Sequence, residues 1–340
     1  MSNMVLILPI DIEPGLGDAL VDAASQNVID ANDDQIYVFG DGIMYSNVPP
    51  VDAGEEEWDA GVTYSIGDIV TVLGDVQRRY ESVVDGNTDN FPPDSPIDWI
   101  DLGFTNRWRM FDGGTSTTTV NDDSIAIRIR PDGFVNALSF FNVSASSIRV
   151  IISQNGETVY DKTADFILEL GESNWFSWFF GSVQGVIETP RDHVVLGIPG
   201  LFNATIDVIF SRPDGQVSVG LLVAGRQQTI GVGLYGSSVG IRDFSTKDVD
   251  QFGNFRVVER RFAKRAEMDV YLRTNTVATV QQALAARRAL PTVYVGSDQA
   301  CLFCPDPIHE EFLVYGFFND FDIITGDRQN STAVIEVEGL

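Results

Sequence analysis

Lysine, cysteine and histidine are all scarce in this chain of 340 residues, and each scarcity removes a class of function. Three lysines (Lys162, Lys247, Lys264) stand against nineteen arginines, while acidic residues number 49 against 22 basic ones, a net charge of −27. A surface that negative repels phosphate backbones and anionic headgroups, which argues against nucleic acid and membrane insertion as partners. Two cysteines, Cys301 and Cys304, are too few to staple a chain of this size, so folding does not depend on an oxidising compartment. Two histidines, His193 and His309, leave little material for imidazole-based catalysis. No uncharged apolar run approaches the ~18 residues of a spanning helix. Residues 1–9 lack the basic start and small-residue cleavage pattern of a secretory signal, so synthesis in a cytoplasm is expected.

Apolar residues make up 44% of the chain, enough for real cores, and the length predicts two or three domains. Residues 1–53 hold one strand-like run (5–10) and a short helical run (16–24) before Pro49-Pro50, and read as an N-terminal arm or connector. Residues 54–103 change to Trp, Tyr, Gly and Pro in an acidic background, as in a small module of short strands. Residues 104–224 have a period of two: Ile125, Ile127 and Ile129 alternate with Ala126, Arg128 and Arg130. Three hairpins are predicted there, turning at Pro131-Asp132-Gly133, Asn155-Gly156 and Pro213-Asp214-Gly215, which gives a β-sandwich or jelly roll. Residues 225–340 read as a β-rich assembly domain with strand-like runs at 292–296, 312–318 and 333–337. Its one helix, 276–290, has Asn275 as cap, Val277, Val280 and Leu284 on one face and Pro291 as stop. The predicted class is therefore mainly β and multi-domain.

Several motifs invite chemical readings that their context does not support. Gly236-Ser237-Ser238-Val239-Gly240 fits the nucleophile-elbow pattern, but no helical periodicity follows it, so a glycine-rich loop is expected. Cys301, Cys304 and His309 supply three of the four ligands of a structural zinc site, and the expectation is two free thiols without a metal. The loop 85–90 begins like a calcium loop yet has Asn90 where glycine is due and Pro96 where the closing glutamate is due. Glu169 and Glu172 form a carboxylate pair of the kind that 49 acids produce by chance. Arg256, Arg260, Arg261, Lys264 and Arg265 form a basic cluster interleaved with Glu259 and Glu267, the pattern of an intersubunit or interdomain ion-pair surface. No catalytic residue and no cofactor is expected.

The aromatic residues Trp58, Tyr64, Tyr80 and Trp99 stand out as carbohydrate-binding candidates, because the axial C–H bonds of a sugar ring stack on such faces. The alternative is that they are the core of a module with little else to bury.

Trp58-Asp59-Ala60-Gly61-Val62-Thr63-Tyr64-Ser65-Ile66-Gly67-Asp68-Ile69-Val70, followed by Tyr80-Glu81-Ser82, Pro92 and Trp99, resembles the family 5/12 carbohydrate-binding modules, or type 3 chitin-binding domains. Where that family carries consecutive tryptophans, this chain has Val83-Val84. The stretch 102–112, together with Trp175 to Phe180, Asp243-Phe244-Ser245 to Gly253-Asn254, Val258-Glu259-Arg260 and the final Ile335 to Leu340, resembles tail and tail-fibre-like virion proteins of tailed bacteriophages. The resemblance implies a non-enzymatic structural virion protein of the tail end or adsorption apparatus. It also implies other tail proteins, further copies of the chain and a host surface glycan as partners. Two competing expectations are a receptor-recognising carbohydrate binder and a polysaccharide-degrading tail enzyme.

Overall fold

The computed structural model describes residues 2–10, 43–73, 77–131, 133–154, 157–166, 191–202, 204–249, 253, 255–304 and 310–340, and it is mainly β. The alternating isoleucines of Thr119–Ile129 put one apolar face on a five-stranded antiparallel sheet. Its order is Glu157–Asp165, Ser147–Gln154, Thr205–Val219, Thr119–Ile129 and Ile43–Ser46. That face packs on Arg191–Val195, Ala137–Val143 and the first half of Leu221–Gly233, which belong to a second sheet. Ile125, Ile127, Ile129, Val150 and Val208 meet Leu138, Phe140, Leu222 and Ala224, with Phe140 edge-on to Phe210 at 5.3 Å. This is the expected sandwich.

Beyond the sandwich the second sheet curls until it closes. Leu221–Gly233 pairs with Asn3–Pro9, and the pairing continues through Thr292–Val295, Leu313–Thr325, Asn330–Gly339 and Phe262–Arg273. Val232 and Gly233 then pair with Tyr271 and Val270, completing a six-stranded antiparallel barrel. Met4, Leu6, Ile230, Met268, Val270, Leu272, Tyr294 and Ile335 fill its interior, joined by Val280 and Leu284 of the helix Val277–Ala286. Closure removes the edges that an open sheet exposes. It also needs a close backbone approach at Gly231, where a Cβ would lie 2.4 Å from the Tyr271 carbonyl oxygen.

Several expectations change at this level. Residues 1–53 do not form only an arm, because Asn3–Pro9 is a barrel strand whose Val5 and Ile7 bury on the outer face while Met4 and Leu6 bury inside. The 224/225 boundary falls within the continuous strand Leu221–Gly233, which serves sandwich and barrel alike. Of the three predicted hairpins, only Ser147–Gln154 with Glu157–Asp165 forms. The chain after Ile129 instead crosses to the facing sheet, because Ile129 and Leu138 fill one core from opposite sides. Residues 212–215 form a bulge inside Thr205–Val219, where Asp214 takes φ +60° and its N–H donates to Asp123 Oδ1 at 2.9 Å. The second crossing comes at Gly220, where a Cβ would lie 2.8 Å from both Asn142 Cβ and the Thr115 carbonyl oxygen. The helix is shorter than expected, and Asn275 lies in the 3-10 turn Thr274–Thr276 before it.

Candidate functional site

The small module has a four-stranded sheet in the order Glu56–Glu57, Ile69–Val72, Arg78–Ser82, Trp99–Phe104, and a second pairing of Thr63–Tyr64 with Asn87–Thr88. Its core is Tyr64, Tyr80, Trp99, Val70 and Val72, with Trp58 packed against them. Tyr64, Tyr80 and Trp99 are only 5%, 8% and 3% exposed. Tyr64 sits edge-on to Trp99 at 5.3 Å, its hydroxyl accepts from the Asp59 N–H at 2.8 Å, and Trp99 Nε1 donates to the Asn90 carbonyl at 2.9 Å. The structure thus brings the four candidates together as a core, and three of them offer no free ring face. Trp58 is half-buried and edge-on to the exposed Phe91 at 5.1 Å. In the calcium-like loop Asp85 Oδ1 accepts from the Ile66 N–H at 3.0 Å, and buried Asn87 donates to Ser82 Oγ at 3.0 Å. Those contacts hold the loop to its own module.

Chain entry and exit lie side by side, since the Asn106 N–H donates to Asp52 Oδ1 at 2.8 Å. Arg79 bridges Glu55 and Asp52, Arg109 reaches Asp52 at 3.5 Å, and buried Arg107 donates from Nε to the Val48 carbonyl at 2.6 Å. The Glu55 hydrogen bond holds the Arg79 guanidinium above its usual range.

Cys301 bridges to Val194 on the Arg191–Val195 strand, and the Leu302 N–H donates to the Val194 carbonyl at 2.7 Å. Burial, reinforced by the neighbouring Cys301 thiol, pushes the Cys304 thiol up to about 11, so it stays protonated and weakly nucleophilic. His309 lies outside the described residues, as do Glu169 and Glu172. His193 is buried and stacked on Phe166 at 4.5 Å, and burial lowers its pKa to about 4. In the elbow-like motif Ser238 opens an exposed strand, while Ser237 Oγ donates to the Leu234 carbonyl and accepts from the Asp269 N–H. The expected glycine-rich loop therefore holds only for Gly236 and Ser237, because Ser238, Val239 and Gly240 are strand. Among the described residues, no group of three or more His, Cys, Asp or Glu side chains is placed to hold a metal ion.

The surface that stands apart is an arm that starts from the barrel strand Phe262–Arg273. Among the described residues, Ser238–Asp243 pairs on one side only, with Phe262–Arg273, and its other edge is open. Among the described residues, Thr246–Val249 and Phe255–Val258 pair only with each other. The register sets Lys247, Val249, Phe255 and Val257 on one face of that ribbon, all of them exposed. Phe255 is 76% exposed, Ile241 65%, Val257 61% and Phe262 59%. The basic cluster sits in and beside this arm. Arg242 pairs with Glu338 at 3.0 Å, Arg265 with Glu336 at 2.7 Å and Lys264 with Asp192, while Arg256 and Arg260 make no ion pair among the described residues. Sequence reasoning found the charges and missed the apolar residues between them. Val239-x-Ile241 and Phe255-x-Val257 have the same alternation as buried strands, and their interleaved Arg242 and Arg256 were the available signal.

No family model matches the chain, and comparison with curated proteins returns no match.

Proposed function

We propose that the chain is a non-enzymatic structural protein of a tailed-phage virion, working at the tail end as a tail-tip, baseplate or fibre-attachment component. The exposed apolar arm supports this reading most directly. A two-stranded ribbon is marginal in water without a packed face, and an open strand edge with apolar side chains invites another chain. A protein built to assemble has such a surface, whereas a lone enzyme or sugar binder has no use for it. The packing of Tyr64, Tyr80 and Trp99 into a core agrees with a module that is part of the framework. The mainly β framework, in which Leu221–Gly233 runs unbroken from sandwich to barrel, suits a rigid building block.

The test is to purify particles from a phage that encodes this chain, then locate the chain by mass spectrometry and antibody-labelled electron microscopy. Constant stoichiometry in washed particles, with label at the tail end, is the expected result. A chain found only in the free lysate fraction refutes the reading.

A further inference from the structure

We infer that the arm, built of Ser238–Asp243, Thr246–Val249 and Phe255–Val258 and reaching the start of Phe262–Arg273, docks on the acidic small module of a second copy of this chain, so that copies join head to tail. The inference rests on the assembly reading above, and three observations carry it.

The first is the concentration of exposed apolar surface. Among the described residues, eight of the 21 exposed large hydrophobic side chains lie between Val239 and Phe262: Val239, Ile241, Phe244, Val249, Phe255, Val257, Val258 and Phe262. At roughly 150–200 Å² for such a residue fully exposed, their fractional exposures amount to about 700–900 Å². Val258 lies on the opposite face of the ribbon from Phe255 and Val257, so this is the apolar area of the whole arm, to be set against the ~800 Å² one partner contributes to a standard stable interface.

Charge supplies the second. Residues 238–265 contain seven basic and four acidic residues, a local excess of three positive charges, although the rest of the chain has 15 basic against 45 acidic. Two arms meeting about a two-fold axis would bring like charges together. An acidic surface on another copy is the complementary one. The small module fits best, with twelve acidic residues and two arginines between positions 54 and 103. Both arginines are already engaged, Arg78 with Asp101 and Arg79 with Glu55.

Third, the module offers an edge of its own. Among the described residues, Trp99–Phe104 pairs only with Arg78–Ser82, and its residues Ile100 and Leu102 are exposed beside Asp101. An open apolar strand edge flanked by carboxylates is the counterpart of an open apolar edge flanked by arginines. Because arm and module are different surfaces, the contact is heterologous and repeats into a ring or a filament.

The experiment is sedimentation of the full chain at about 1–100 μM in low and high salt. Phe255→Ser/Val257→Ser marks the arm, and Ile100→Ser/Leu102→Ser marks the module. All four positions are exposed, and circular dichroism checks that each variant is folded. The wild type is expected to associate, more weakly in high salt, and each double variant to lose at least tenfold in affinity. Mixing the two variants leaves one intact arm facing one intact module, so the mixture is expected to form a dimer that neither variant forms alone. A wild type that stays monomeric throughout overturns the inference. So does a module variant that associates like the wild type, which would put the contact elsewhere. Detection of the chain in particles is independent of both outcomes, so failure here is distinguishable from failure of the virion reading.

Discussion

Replacing Arg128 by Met is the sharpest test of the described packing. Arg128 and Asp207 face each other across Thr119–Ile129 and Thr205–Val219, are 6% and 1% exposed, and bond from Nη2 to Oδ2 at 2.8 Å. Burial raises the Asp207 pKa, and the Arg128 hydrogen bond pulls it back only in part. Without the guanidinium the carboxylate stays buried and uncompensated, which costs about 3–5 kcal/mol. That is a large share of the ~5–15 kcal/mol by which a folded unit is stable. At roughly 2 °C per kcal/mol for a large cooperative unit, the melting temperature at pH 8 should fall by about 6–10 °C. The sign with pH follows from the direction of the shift. A carboxyl raised in the folded state favours folding more as it becomes protonated, so the deficit should shrink as pH drops from 8 towards 5. Asp207→Leu combined with Arg128→Met removes both charges and should recover most of the loss, because a buried pair gains little over apolar residues of similar volume. Denaturant and thermal unfolding of the wild type, the single and the double variant at both pH values give the comparison. A single variant that costs under ~1 kcal/mol at pH 8, or a double variant no better than the single, would refute the reasoning.

Further outcomes follow from other parts of the fold. His193, with its pKa lowered from 6.5 to about 4 by burial, contributes stability that is complete above pH 6.5 and lost as pH falls towards 4, at most about 3 kcal/mol. His193→Gln should flatten the stability profile in that window, and an unchanged slope would show that the imidazole is not the cause. Gly231→Val places side-chain atoms against the Tyr271 carbonyl where the barrel closes and should cost at least ~2 kcal/mol in denaturant unfolding. Excising 54–103 with a short linker should leave the main melting transition within a few degrees, since Asp52 and Asn106 already hold the two ends together. A larger drop would mean that module and sandwich form one cooperative unit. Titration with chitin oligomers should give millimolar affinity at best, and Tyr64→Ala should unfold the module, because that ring is core. Micromolar binding would restore the glycan-recognition reading.

Alternation and turn chemistry made the class legible without coordinates. The period-two isoleucines at 125–129, the pairing of Ser147–Gln154 with Glu157–Asp165 and the Val277/Val280/Leu284 face all appear in the structure as the residues themselves dictate, because each depends on neighbours within a few positions. The clustering of Trp58, Tyr64, Tyr80 and Trp99 was equally visible, but whether rings face water or one another depends on which strands pair. Partner choice over long separations decided the rest. Pro-Asp-Gly permits a turn, yet the crossings after Ile129 and at Gly220 arise because two sheets must share one core, and that demand is absent from the local sequence. Val5-Leu6-Ile7-Leu8 announces burial on both faces, but only closure through Val232 and Tyr271 shows that one face is a barrel interior. Phe255 and Val257 alternate just as Ile125 and Ile127 do. One pair is buried and the other lies open because, among the described residues, the tertiary fold gives the first a facing sheet and leaves the second without one.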